Sequence, residues 1–356
     1  MLKVLRCIVL LCLGGSACAA ESFNISVITA DEQLFEAAKM AVMALPGQKF
    51  RGLNIQVGWV STTRPEAAEY SVRMALDIDR TAVIIGGDTV ASQRAILKAL
   101  RGKRQVPFIS LADFPPDQEE RLPHFYRVGP NRGHLLVALE DALRTMKISR
   151  LLLLADASAT AANDTVRRSL PKLRVEIISP HALMQQKSDD AALFIPWTSM
   201  NWLREQRELW PALQGIPIFV EGHAVNIVPE SGLNLITLNT FDSADRNGPL
   251  KTEYGIRAFA ATQLVLAALE DASYRQKRDV GAFGKALGTR PIDTALGRMD
   301  FRGGGECAAL NVAAIRLADH ALLSRTKGAA CKCVDEACCK NCCTAKSRSC
   351  INGSCE

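Results

Sequence analysis

The chain has 356 residues, a formal net charge of +6, 48% hydrophobic and 22% charged residues. That length exceeds one ordinary domain, and that apolar fraction can build packed cores, which excludes a disordered or low-complexity chain. The positive charge is modest and spread out. Its densest stretch, Arg101-Gly102-Lys103-Arg104, carries no interleaved aromatics, so no nucleic-acid surface is expected.

The N-terminus reads as an export signal. Lys3 and Arg6 give a basic start, Val4 to Leu13 is an apolar run, and Ala17-Cys18-Ala19 fits the small-residue cleavage rule. Residues 1–20 are therefore expected to be cleaved near Ala19 or Ala20, leaving a periplasmic or secreted protein. Cys18 offers a second reading, lipid attachment, although Gly15 stands where a lipobox usually has leucine. The apolar run is too short for a membrane anchor, and no later segment has the roughly 18 uninterrupted apolar residues of a spanning helix. An integral membrane protein is not expected.

The body then alternates between strand and helix. Residues 24–29 are short and β-branched, a strand; residues 32–45 place Leu34, Ala37, Ala38, Ala41, Val42 and Leu45 at helical spacing. Leu53 to Val60 alternates like a strand. Pro65 can open a helix whose face holds Ala68, Val72, Ala75 and Leu76. Thr81 to Ile85 is a buried-strand run ending at Gly86-Gly87. The next helix puts Ala91, Ala95, Ile96, Ala99 and Leu100 inward, and Val106 to Ile109 is another strand.

Pro115-Pro116 and Pro123 mark a break, crossed by Phe125-Tyr126-Arg127-Val128. Beyond it the pattern predicts helices over 131–147 and 160–170, and strands over 151–154, 174–178 and 192–195. A helix over about 199–211 and strands over 216–220 and 233–238 follow. A long helix from about 250 to 273, a short one over 279–287, and strands over about 294–301 and 307–316 close the body. Such alternation predicts α/β units with parallel sheets covered by helices on both faces.

Several strings, in order, resemble one family. They are Ala82-Val83-Ile84-Ile85-Gly86-Gly87, Val106-Pro107-Phe108-Ile109-Ser110, Phe125-Tyr126-Arg127-Val128 with Asn131, Tyr254-Gly255, and Thr294-Ala295-Leu296-Gly297 with Met299-Asp300-Phe301. Together, residues 24–320 resemble type I periplasmic solute-binding proteins of the branched-chain amino acid (Leu/Ile/Val-binding) class. The resemblance implies two Rossmann-like lobes joined by a hinge, with ligand clamped between them. It implies an N-terminal lobe of 21–128 and 250–300, a C-terminal lobe of 129–249 and 301–322, and a tail from 323 to 356. The partners implied are a small-molecule ligand and an inner-membrane ABC permease or sensor.

Candidate ligand contacts fall on loops that follow strands. The loop from Gly86 to Ser92 opens a helix, so free N–H groups there, with the hydroxyl of Thr89 or Ser92, can hold a carboxylate; Thr89 or Asp88 can equally cap that helix. The family usually supplies serine hydroxyls here, and this chain has Asp88 instead. Ser110 ends the next strand, and Asp113 beyond it can pair with an ammonium group or repel an acidic ligand. The family's threonine after that strand is not evident, which argues against a simple α-amino acid ligand. Ser158 lies in the loop after residues 151–154, Trp197 at the end of the 192–195 strand can stack on a ligand, and Glu221 can meet a ligand amine.

No chemistry-bearing motif points to an enzyme. The five histidines, His124, His134, His181, His223 and His320, lack metal-ligand spacing, and no Gly-x-Ser-x-Gly elbow or phosphate loop occurs. Asn24, Asn163 and Asn352 head glycosylation sequons, meaningful only in a eukaryotic secretory pathway.

The last 26 residues are of a different kind. They contain Cys331, Cys333, Cys338, Cys339, Cys342, Cys343, Cys350 and Cys355, one valine, one isoleucine and no aromatic. Such a segment cannot build an apolar core, so crosslinks must hold it. The Cys339-x-x-Cys342 pair and interleaved lysines resemble metallothionein segments that take Cu or Zn; the exported compartment instead favours disulfides, with Cys307 a free buried thiol or a partner of the tail. No other cofactor is expected. The function expected is capture of a small polar, amino-acid-like or related metabolite for an ABC-type importer; the alternatives are a metal-handling protein acting through its tail, or a receptor-like sensor module.

Overall fold

The computed structural model describes residues 21–62, 64, 67–101, 106–112, 124–155, 159–183, 190–196, 203, 205–220, 232–239, 248–302, 307, 309–319, 321–330, 350–351 and 354–355. The expected export signal, with Cys18, lies outside them, as do Cys331, Cys333, Cys338, Cys339, Cys342 and Cys343.

The first unit grows from β1 (Ser22–Thr29), α1 (Glu32–Met43), β2 (Lys49–Phe50), β3 (Leu53–Ser61), α2 (Ala68–Arg73), β4 (Val83–Gly86), α3 (Val90–Leu100), β5 (Phe108–Ser110) and β6 (Phe125–Arg127). Helix α1 buries Leu34, Ala37, Ala38, Ala41 and Val42, the face its sequence period selects, and starts where the Asp31 side chain accepts from the Gln33 N–H. The strand order is β2-β3-β1-β4-β5-β6, and every pair except β2/β3 is parallel. Counting the parallel strands along the chain, their spatial order is 2-1-3-4-5, which puts the topological switch point between β1 and β4.

The chain crosses to a second unit through residues 128–131. There it forms α4 (Arg132–Thr145), β7 (Arg150–Leu154), α5 (Thr160–Ser169), β8 (Arg174–Ile178), β9 (Ala191–Ile195), β10 (Ile218–Val220) and β11 (Leu235–Asn239). These strands repeat the 2-1-3-4-5 order as β8-β7-β9-β10-β11, so a second switch point lies between β7 and β9. Within the expected helix over 199–211 the described Leu203 and Glu205 are helical, and after Gln206 come a 3-10 turn (Arg207–Leu209) and a helical turn (Trp210–Leu213). Pro211 explains the restart, since a proline fits the first turn but not a helix interior.

A return leads to α6 (Glu253–Ala268), α7 (Ala272–Lys277), α8 (Val280–Gly288) and the hairpin β12 (Ile292–Thr294) and β13 (Gly297–Met299). One helix was expected over 250–273; the structure has two, because Asp271 accepts from the Ser273 and Tyr274 N–H groups and caps a new start. The single strand expected over 294–301 is likewise a tight hairpin, turning at Gly297 with φ +96°. These elements pack on the first sheet: Ile256, Ala260, Leu264 and Val265 share a core with Val27, Val83 and Ile109. The opposite face of that sheet carries α2 and α3, through Val72, Ile96, Leu97 and Leu100.

A third crossing leads to β14 (Ala309–Arg316) and β15 (Leu322–Ala330), which join the second sheet antiparallel beside β11. Residues 323–330, read from sequence as the start of the tail, are thus most of an edge strand. Beyond them, β16 (Cys350–Ile351) and β17 (Ser354–Cys355) pair antiparallel, with Cys350 opposite Cys355. Cys307 is buried, its sulfur accepting from the Asp300 N–H at 3.3 Å. Among the described residues no helix is long and apolar enough to cross a membrane.

Candidate functional site

Open α/β sheets bind ligands beyond the carboxyl ends of their strands, at the switch point. In the first unit that point is built by Thr29 at the end of β1 and by Gly86-Gly87-Asp88 at the end of β4; the register sets Ile28 beside Gly86 and Gly86 beside Ser110. Gly87 turns the chain with φ +64°, a left-handed value that favours glycine. A side chain at Gly87 would also meet Gln93 and Phe108 at about 3.0 Å.

The turn aims Asp88 at Thr29. The Thr29 hydroxyl donates to Asp88 Oδ2 at 3.2 Å and accepts from the Asp31 N–H at 3.1 Å. Asp88 Oδ1 accepts from the Thr89 N–H at 3.1 Å. Burial pushes the Asp88 carboxyl above its ordinary range; the bonds from Thr29 and the backbone oppose that shift and the nearby Asp31 charge adds to it. Asp88 makes no ion pair among the described residues.

The other first-lobe candidates divide by role. Thr89 is exposed and caps α3, its hydroxyl accepting from the Ser92 N–H at 3.1 Å. Ser110 is fully buried; its hydroxyl donates to the Gly87 carbonyl at 3.3 Å and accepts from the Ala112 N–H at 3.2 Å, so it splices the β4 loop to the end of β5. Ser92 is buried, and its hydroxyl has no partner among the described residues. Asp113, Ser158, Trp197 and Glu221 lie outside the described residues.

Sequence reasoning missed Thr29 and Gln93. Gln93 is 0% exposed, and neither its amide nitrogen nor its amide oxygen has a partner among the described residues. The signal was present: Gln93 stands three, four and seven residues before Ile96, Leu97 and Leu100, a polar residue on the buried face of α3. Ala91, expected inward, is exposed.

At the second switch point the described polar group is Asn163 of α5. It is buried, its amide donates to the Leu154 carbonyl at 2.7 Å where β7 ends, and its oxygen has no partner among the described residues. That placement removes Asn163 from the surface a glycan would need. A cavity of about 680 Å³ opens elsewhere on the second unit, lined by Val137, Asp141, Arg144, Ile148, Lys172 and Thr326. It faces the residues that precede β7 and β8, the amino ends of the strands, and so is not the switch-point site. Among the described residues no cluster of three or more His, Cys, Asp or Glu side chains could hold a metal.

No protein-family model and no curated protein matches this chain in sequence. Solved structures match it in shape. An ABC transporter substrate-binding protein from Desulfitobacterium hafniense, in complex with Leu, aligns with a TM-score of 0.67 at 14% identity, over 85% of this chain and 100% of that one. A solute-binding protein of an ABC transporter from Rhodopseudomonas palustris, in complex with p-hydroxybenzoic acid, aligns with a TM-score of 0.66 at 14% identity, over 87% and 98%. A leucine-binding protein from Thermotoga maritima aligns with a TM-score of 0.64 at 14% identity, over 86% and 99%. The chain has the two-lobe type I periplasmic binding protein fold.

Proposed function

We propose that this chain is an exported solute-binding protein that captures a small polar metabolite between its lobes and presents it to an ABC permease or sensor of the inner membrane. The observation that carries this reading is the set of polar groups at the first switch point: among the described residues Asp88 has no ion-pair partner, and the Ser92 hydroxyl and the Gln93 amide have no hydrogen-bond partner. Buried polar groups are nearly always satisfied, and a ligand is the natural source of the missing partners. Proteins of this shape that carry leucine or hydroxybenzoates for ABC transporters support the reading. The test is a thermal-shift screen of the mature protein against small polar metabolites, repeated on Gln93→Leu. A hit that raises the melting temperature of wild type and has a weaker effect on the variant supports capture at this site; a hit unaffected by the variant places binding elsewhere.

A further inference from the structure

The first-lobe half-site has the wrong polarity for a carboxylate. A helix N-terminus ordinarily draws an anion, because its leading N–H groups are unpaired and its dipole is positive there. At α3 that seat is largely taken by the chain itself. Asp88 accepts from the Thr89 N–H, Thr89 accepts from the Ser92 N–H, and the Gln93 N–H goes to the Thr89 carbonyl. A second carboxylate arriving here would meet Asp88, half-buried and unpaired among the described residues, with Asp31 close behind it.

What the half-site lacks is a cation. Asp88 has no cation beside it, and desolvated charges are stable only when paired. The Ser92 hydroxyl and both ends of the Gln93 amide have no partner among the described residues, so the hydroxyl and the amide oxygen can accept from a cation while Asp88, the one charged group of the three, sets the polarity. Gln93 sits directly beneath the turn, its backbone and Cβ about 3.0–3.1 Å from where a Gly87 side chain would be. Helical side chains lean toward the helix N-terminus, so Ser92 and Gln93 both point back toward the Gly87-Asp88 loop. An ammonium group has three N–H donors, and the Asp88 carboxylate, the Ser92 hydroxyl and the Gln93 amide oxygen offer one acceptor each.

We propose that Asp88 is the counter-ion for an ammonium group of the ligand, with Ser92 and Gln93 completing its hydrogen bonds, so that this lobe selects amines and rejects carboxylates at this position. The inference rests on the solute-binding reading above and narrows its substrate class.

The test is calorimetric titration of the full mature protein, and of Asp88→Asn and Asp88→Ser, with matched probes: benzylamine against benzoate, and leucinamide against leucine and 4-methylpentanoate. The expected result is that wild type binds the amines more tightly than their carboxylate counterparts. Asp88→Asn, which keeps the shape and loses the charge, weakens amine binding by at least about ten-fold. Asp88→Ser lets the carboxylates in. Carboxylates binding wild type as tightly as the matched amines, or amines binding Asp88→Asn unchanged, would overturn the polarity assignment while leaving solute binding intact. No binding by any probe to any of the three proteins would overturn both. Melting curves of the two variants establish that each is folded.

Discussion

Arg257 Nη1 donates to the Leu111 carbonyl at 2.8 Å, joining residues 146 apart in sequence. The bond ties α6 to the chain as it leaves β5, close to the first crossing between lobes. Arg257 is fully buried and pairs with the equally buried Glu253 one turn earlier. Arg257→Ala strips the buried Glu253 carboxylate of this cation and is expected to cost about 3–5 kcal/mol in urea unfolding. The double replacement Glu253→Leu with Arg257→Met leaves no charge behind and should cost less than Arg257→Ala alone. A larger loss in the double variant would show that the pair contributes through its charges rather than merely tolerating them.

The same crossing depends on a close backbone approach. A side chain at Gly129 would run into the Ala112 carbonyl and press on Arg257 at 3.1 Å. Gly129→Ala should therefore destabilise by about 1–3 kcal/mol, since neither obstacle can step aside cheaply. Gly215 has φ +90° with nothing within 4 Å of its would-be Cβ, so Gly215→Ala should show only backbone strain, of about 1 kcal/mol. Chemical denaturation of the two variants side by side separates crowding from strain.

Asp88 predicts a pH dependence of defined sign. Burial raises its carboxyl above the ordinary 3.8, so the folded state holds the proton more tightly than the unfolded chain. Its contribution to stability is fully present below 3.8 and is lost as pH rises through the raised folded value. Asp88→Asn escapes that loss. Without ligand, the variant should melt above wild type at neutral pH, and the gap should close as pH falls toward about 4. A variant that melts lower at neutral pH would mean that the Asp88 charge is already compensated.

The tail carries a separate expectation. The register of β16 and β17 sets the backbones of Cys350 and Cys355 opposite each other, a separation within the range a disulfide bridges. The proposed export would place these cysteines in an oxidising compartment. Peptide mapping under non-reducing conditions should recover residues 350 and 355 as one linked peptide. Free thiols that instead carry copper or zinc would make the tail a metal site.

Much of the fold is legible in the sequence because strand and helix periods are strong where one face is buried. The α1 positions Leu34, Ala37, Ala38, Ala41 and Val42 are all buried as their spacing requires. Strand β15 was not legible: Leu322–Ala330 has no clean apolar alternation, and it is a strand because β14 offers an edge to pair with. The break between α6 and α7 depends on one aspartate turning back on two N–H groups, a local bond that competes with a helical pattern on both sides. In the site, the loop after β4 was legible because glycines mark it. Thr29 was not, since only the parallel register of β1 and β4 brings it to Asp88, 59 residues later.

The central claim is that this fold holds a small solute. Native mass spectrometry of the mature protein, taken from its exported location and repeated after denaturation, tests it most directly. The account predicts a small organic mass, bearing an amine, that leaves on denaturation and is absent from Asp88→Asn prepared in the same way. A protein that carries no small organic mass, and that gains none when incubated with the medium from which it was exported, would contradict it.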